Sequence, residues 1–275
     1  MTTEISTTAG NSGPTGSPGG HNVLVEAVDL HRSWGSGSTA VQAVAGISLR
    51  VPPGEVLALM GPSGCGKSTL LGLLGGLDRP DGGTVHVAGR DWQSLRGRAQ
   101  STFRRTTCGY VFQNLALLPA ATAAENVEVP LLLAGVTRAE RRDRVSEMLE
   151  QVGMGAQADH LPDQLSGGQQ QRIGIARALV HRPTLVLADE PTGSLDSHNA
   201  QEITRVLVTA ARQQQATVVL VTHDPRVAAH ADRVLHLHSG RLAELDADGP
   251  GAPRAPGGPG AVMLTVDPAS SGVGS

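Results

Sequence analysis

The chain has 275 residues, a formal net charge of -3 at pH 7, and cysteines only at Cys65 and Cys108. That length can bury a sizeable apolar core, while the slightly acidic balance excludes a global electrostatic grip on nucleic acid. Two cysteines are too few for a disulfide framework and are not spaced as a zinc-ligand pair, which suits a reducing compartment.

Residues 1–22 are mostly Thr, Ser, Gly and Pro, a composition that cannot bury enough apolar area to offset the entropy of ordering, and predict a disordered leader. No stretch approaches the roughly 18 to 20 apolar residues that cross a bilayer, and the polar N-terminus lacks the charged-then-apolar order of an export signal. A cytoplasmic chain is expected. Residues 23–30 and 47–51 have the alternating or β-branched character of strands, as do 84–87, and predict a small N-terminal antiparallel layer. Residues 56–60, 184–188 and 217–222 are continuous apolar runs, each leading into polar, chemically capable residues. They predict buried strands of a mainly parallel sheet, whose functional groups gather at the carboxyl ends.

Between the first and second of these runs the spacing changes to that of helices. Residues 137–152 put Val145, Met148, Leu149 and Val152 on one helical face, with Thr137 and Glu140 spaced as a capping box. A second helix is predicted over 167–180, before Pro183. Together these suggest a helical subdomain inserted at about 114–175 in a domain spanning 23–245. From 246 to 275 the Gly/Pro-rich composition returns around a short apolar patch at 262–266, and a disordered tail is expected.

Gly61-Pro62-Ser63-Gly64-Cys65-Gly66-Lys67-Ser68-Thr69 satisfies the GxxxxGK[ST] pattern, follows a predicted strand and precedes the helical-looking residues 70–77. Gly61, Gly64 and Gly66 let backbone N–H groups turn inward around phosphate oxygens, the helix N-terminus adds its dipole, and Lys67 supplies a mobile positive charge. Ser68 is then a magnesium ligand. Cys65 is either a redox-sensitive thiol or a small residue that fits the turn. Asp189 and Glu190 follow the apolar run at 184–188, where adjacent carboxylates require a cation: Asp189 suits the magnesium shell and Glu190 suits polarising an attacking water. His223 ends the run at 217–222 and is positioned to reach a γ-phosphate. The expected chemistry is binding and hydrolysis of ATP with Mg2+.

Leu165-Ser166-Gly167-Gly168-Gln169 has the S-x-x-Q spacing of a capped helix, and such an N-terminus is also an anion site. In the order phosphate loop, Gln113, Ser166 to Gln169, Asp189 with Glu190, Ser194-Leu195-Asp196, His223, the chain resembles the ATP-binding-cassette ATPases over about residues 23–245. The resemblance implies an α/β fold with a P-loop NTPase core. It also implies that Gln113 is a hinge residue sensing magnesium and a partner protein, and that Asp196 communicates across a dimer. In this family two copies pair head to tail, each ATP lying between one phosphate loop and the other copy's signature serine, here Ser166. Trp34 stands where the family has an aromatic that stacks on adenine; a hydrophobic contact within the antiparallel layer is the competing role.

Leu74-Gly75-Gly76-Leu77-Asp78-Arg79-Pro80, Glu125-Asn126-Val127 with Pro130-Leu131-Leu132, and the residues around Asp189 look most like the lipoprotein-releasing and macrolide-exporting branch. That likeness implies integral membrane permease partners, a peripheral location on the inner face of the cell membrane, and no nucleic-acid partner. A mechanotransmitting ATPase is the alternative. A soluble cassette acting on ribosomes or DNA would predict two fused cassettes, a coiled coil or a basic arm.

Overall fold

The computed structural model describes residues 23–193 and 197–243. The expected leader at 1–22, the tail at 246–275 and the Ser194-Leu195-Asp196 expectation lie outside the described residues.

Strand β1 (Val25–Trp34) pairs antiparallel with β2 (Val41–Val51), from Val25 opposite Val51 to Trp34 opposite Val41. On β1, Val25, Ala27 and Leu30 are buried, and on β2 Val44, Ile47, Leu49 and Val51 are buried, so one face of the pair is apolar. Both strands are longer than the sequence pattern predicts, because register shifts along β1 break the alternation in the added residues 31–34 and in 41–46 opposite them. Strands β3 (Val56–Met60), β4 (Gly82–Val87) and β5 (Arg90–Asp91) follow, with helix α1 (Lys67–Leu74) between β3 and β4. The antiparallel sheet has the order β2-β1-β4-β5.

The second sheet is built from β3, β6 (Cys108–Val111), β7 (Leu185–Asp189), β8 (Thr217–Val221), β9 (Arg233–His238) and β10 (Arg241–Ala243), in the order β10-β9-β3-β8-β7-β6. Its pairings are parallel except for the β9–β10 hairpin. The unbroken apolar runs have a direct explanation. Val218 and Leu220 of β8 join one apolar cluster, while Val219 and Val221 join a second on the opposite face. Val56, Val186 and Ala188 likewise face the first cluster, and Leu57, Leu59, Leu185 and Leu187 the second. A strand covered on both faces has no polar side to alternate with.

Helices α2 (Gly97–Thr107), α3 (Ala123–Leu133), α4 (Arg138–Gln151), α5 (Gly167–Leu179), α6 (Ser197–Gln213) and α7 (Pro225–Ala228) complete the described elements. Val127, Leu131, Val145, Met148, Leu149, Ile173 and Leu207 share the first cluster, whereas Leu70, Leu73 and Leu74 of α1 lie in the second with β1, β2 and β4.

Helix α1 begins at Lys67 and stops at Leu74 rather than running over 70–77. A Cβ on Gly75 would lie 2.5 Å from Leu187 Cδ1, and Gly76 follows at φ +64°, so the chain turns where two glycines permit it. Val145, Met148, Leu149 and Val152 are buried as the periodicity requires. The expected capping box at α4 forms only half: the Glu140 N–H donates to Thr137 Oγ1, but the Glu140 carboxylate pairs with Arg144 one turn on. A nearby guanidinium is a stronger partner than a backbone amide. At α5 the box is complete, with Ser166 N donating to Gln169 Oε1 at 2.8 Å and Gln169 N donating to Ser166 Oγ at 3.3 Å.

Candidate active site

The turn from β3 into α1 is a backbone problem that only glycine solves. Gly61 has φ +153° and its Cβ would lie 2.2 Å from Leu237 O; Gly66 has φ +104° and its Cβ would lie 1.9 Å from Ala43 O. The loop is thus pressed against the backbones of β9 and β2. Leu70 N donates to Gly66 O at 2.8 Å, closing the first turn of α1 and leaving the helix's leading N–H groups without helical acceptors. Lys67 is buried in this structure. Its Nζ donates to Gly61 O at 2.8 Å and Pro62 O at 2.9 Å, folding the side chain back over its own loop. Cys65 is buried in the apolar cluster with Leu237 and Leu70, so it fills the turn and offers no accessible thiol.

Parallel pairing brings the chemically capable strand ends together. Asp189 of β7 lies opposite Val221 of β8, and Leu59 of β3 pairs with the same Val221. Ser68 Oγ donates to Asp189 Oδ1 at 3.0 Å, joining the phosphate loop to the acidic pair. Burial pushes the Asp189 carboxyl above its usual range; the Ser68 hydrogen bond opposes this, the adjacent Glu190 charge adds to it, and Lys67 opposes it. Glu190 adopts φ +45° and its N–H donates to Val221 O at 3.0 Å, which turns the side chain off the strand. Both of its carboxylate oxygens lie 3.0 Å from His223 Nδ1. Glu190 is mostly enclosed while His223 is exposed, so the histidine stands between the carboxylate and solvent.

A cleft of about 690 Å³ is lined by Trp34, Ser63, Gly64, Gly66, Lys67, Ser68, Thr69, Gln113, Glu190 and His223, with Val41 and Ala43. Gln113 follows β6 and sits against the turn after Glu190, where a Cβ on Gly193 would be 3.2 Å from its Nε2. Trp34 remains 45% exposed at the cleft and belongs to neither apolar cluster, so the competing hydrophobic role is not realised. Its indole N–H donates to Thr69 Oγ1 at 3.4 Å. Ser166, Gly167, Gly168 and Gln169 do not line this cleft. The sequence reading passed over Val41 and Ala43, and over Arg32, which stacks on Trp34; nothing but its place two residues away on the same strand could have signalled it.

The Ser68 hydroxyl and Asp189 carboxylate are hard oxygen donors of the kind Mg2+ takes. Among the described residues no group of three or more His, Cys, Asp or Glu forms a metal cage, and Gln113 lines the same cleft with a further oxygen donor.

Known proteins with this arrangement are numerous. The ABC transporter family pattern matches residues 44–193. The macrolide export ATP-binding/permease protein MacB of Marinobacter nauticus is 48% identical over 221 residues, which is 80% of this chain and 34% of that protein. This chain therefore spans about a third of the length of that relative. The lipoprotein-releasing system ATP-binding protein LolD of Legionella pneumophila is 43% identical over 222 residues, 81% of this chain and 98% of that protein. Among solved structures, a dimeric ATP-binding cassette in a post-hydrolysis state bound to ADP and Pi superposes with a TM-score of 0.74 at 38% identity, covering 80% of this chain and 97% of that one.

Proposed function

The chain belongs to the ABC transporter family and is an ATP-binding cassette ATPase, and on that footing we propose that it drives export or extraction of a substrate through a separate membrane permease, by ATP-dependent closure of a head-to-tail pair of copies. The observation that carries this reading is the division of the motifs: the phosphate loop, Gln113, Glu190 and His223 line one cleft, and Ser166 to Gln169 do not. A second copy would supply Ser166, Gly167, Gly168 and Gln169 to that cleft, with Asp196 near the shared boundary. A solved relative is a dimer, and LolD, which matches this chain over nearly its whole length, is named as the ATP-binding protein of a releasing system.

In this reading the helix N-terminus at Gly66 and the inward N–H groups of Ser63, Gly64 and Cys65 bind the phosphates. Lys67 exchanges its carbonyl contacts at Gly61 and Pro62 for phosphate oxygens. Ser68 and Asp189, with Gln113, would hold Mg2+, which neutralises phosphate charge during transfer. Glu190 takes the proton of the attacking water, and its low exposure keeps the carboxylate close to the reacting phosphate. As the imidazolium, His223 donates to the Glu190 carboxylate through Nδ1 and to the γ-phosphate through Nε2. Trp34 stacks on adenine, with Thr69 bracing its indole N–H.

No described helix is long and apolar enough to cross a membrane. In this reading the cassette meets the inner face of the membrane through the permease, with the segment at 114–175 as the moving helical subdomain.

Mixed dimers test the shared site. Lys67→Ala and Ser166→Ala homodimers should both be inactive, whereas a mixed dimer of the two holds one site with both lesions and one with neither. It should recover about half of the wild-type ATPase rate. No recovery in the purified mixed dimer refutes the shared arrangement.

A further inference from the structure

Trp34 is held in a way that the phosphate and metal chemistry does not require. Arg32 and Trp34 sit two residues apart on β1, on either side of a register shift between Arg32 and Ser33, and the irregular strand brings their side chains together. The Arg32 guanidinium carbon lies 4.2 Å from the Trp34 ring centroid. At that distance the guanidinium lies over one face of the indole, and Trp34 as a whole remains 45% exposed at the cleft. The guanidinium is itself fixed: Nη1 donates to Asp81 Oδ1 at 2.8 Å and Nη2 to Asp78 Oδ1 at 3.2 Å. Asp81 is committed to the same place by accepting from Ser33 N at 2.7 Å, and its own N–H donates to His31 O at 2.8 Å. Arg32 thus cannot swing away from the ring without breaking a planar, forked carboxylate arrangement.

The indole edge is tied in turn to the phosphate loop through Thr69. A partly exposed ring backed by a guanidinium and tied at one edge, beside a phosphate site, is a preorganised stacking platform. We propose that Arg32 is a positioning residue for base recognition: clamped by Asp78 and Asp81, it backs Trp34 and presents the opposite indole face to the purine of a bound nucleoside triphosphate. Backing by a cation also draws electron density from the ring, which favours stacking on a flat, electron-rich base. The inference rests on the nucleotide reading above, and the test separates the two.

The probes are ATP and inorganic tripolyphosphate, each with magnesium, titrated against the full chain by calorimetry. Wild type should bind ATP more tightly than tripolyphosphate. Arg32→Ala should weaken ATP about fivefold, the scale of one cation–π contact and the ordering it provides, while tripolyphosphate binding stays as in wild type. Arg32→Lys, which keeps the charge but not the planar fork, should fall between. The quenching of Trp34 fluorescence by ATP should shrink in the same order, with buried Trp92 as a constant background. If Arg32→Ala weakens both probes equally, or neither, the proposal is overturned although the phosphate site stands. If wild type binds neither probe, the nucleotide reading itself fails, and the proposal with it.

Discussion

Replacing Glu190 by Gln is the sharpest test of the chemistry, because the structure predicts what survives the change as well as what is lost. The side chain keeps its shape and its backbone at φ +45° is unaffected, since branching at Cβ and Cγ does not change. The amide oxygen still accepts from His223 Nδ1, one of the two 3.0 Å contacts, so His223 stays in place. The phosphate loop is untouched, and ATP affinity should remain within about threefold of wild type. What disappears is the one carboxylate among the described residues lining the cleft, and the amide that replaces it cannot take a proton. A positioned general base contributes about 10²- to 10⁴-fold, or roughly 3 to 5 kcal/mol of barrier. Single-turnover hydrolysis should slow by that factor, and light scattering should show an ATP-stabilised dimer that does not dissociate. Turnover within threefold of wild type would refute the assignment of the base.

Asp189→Asn carries a pH signature. Because burial raises the Asp189 pKa in the folded state, the ionised carboxylate opposes folding at neutral pH, and this penalty fades as pH falls through the raised pKa. Without nucleotide or magnesium the variant should therefore melt above wild type at pH 7, with the gap closing near pH 4, while its magnesium-dependent ATP binding is lost; identical melting at both pH values would contradict the burial argument. Gly66→Ala introduces a Cβ 1.9 Å from Ala43 O at φ +104°. It should cost at least about 2 kcal/mol in urea unfolding and abolish nucleotide binding; a loss below about 0.5 kcal/mol would mean that the loop can relax away from β2.

Much of this site is readable in the sequence because it depends on short-range rules. Gly61, Lys67, Ser68, Asp189, Glu190 and His223 each sit just past an apolar run, and parallel pairing of β3, β8 and β7 makes sequence-distant strand ends neighbours. The relations that depend on competition among partners were not readable. Glu140 lies at capping distance from Thr137 yet pairs with Arg144, and Lys67 folds onto the carbonyls of Gly61 and Pro62. Helix α3 left no clear pattern because Pro130 interrupts it, although Thr122 and Glu125 form a complete capping box. Helix α2 buries only Thr107, so it has no apolar stripe to detect.

The chain after Gln113 shows why α5 matters beyond its first turn. Arg177 of α5 donates to Ala116 O at 3.0 Å and also to Leu115 O, and Leu115 Cδ2 lies where a Cβ on Gly174 would clash at 2.6 Å. From the other side, fully buried Asn126 of α3 accepts from Leu118 N at 2.7 Å and donates to Leu118 O, Ala121 O and Thr122 O. The segment that begins at the cleft with Gln113 is therefore fastened to α3 and α5 within a few residues. Breaking the α3 attachment strands the polar atoms of fully buried Asn126, at about 1 to 3 kcal/mol for each unsatisfied group. A shift of α5 thus carries Leu115 and Ala116 with it. Because Ser166 and Gln169 cap the start of that same helix, a partner that engages its N-terminus would act on the residues next to Gln113 through α5.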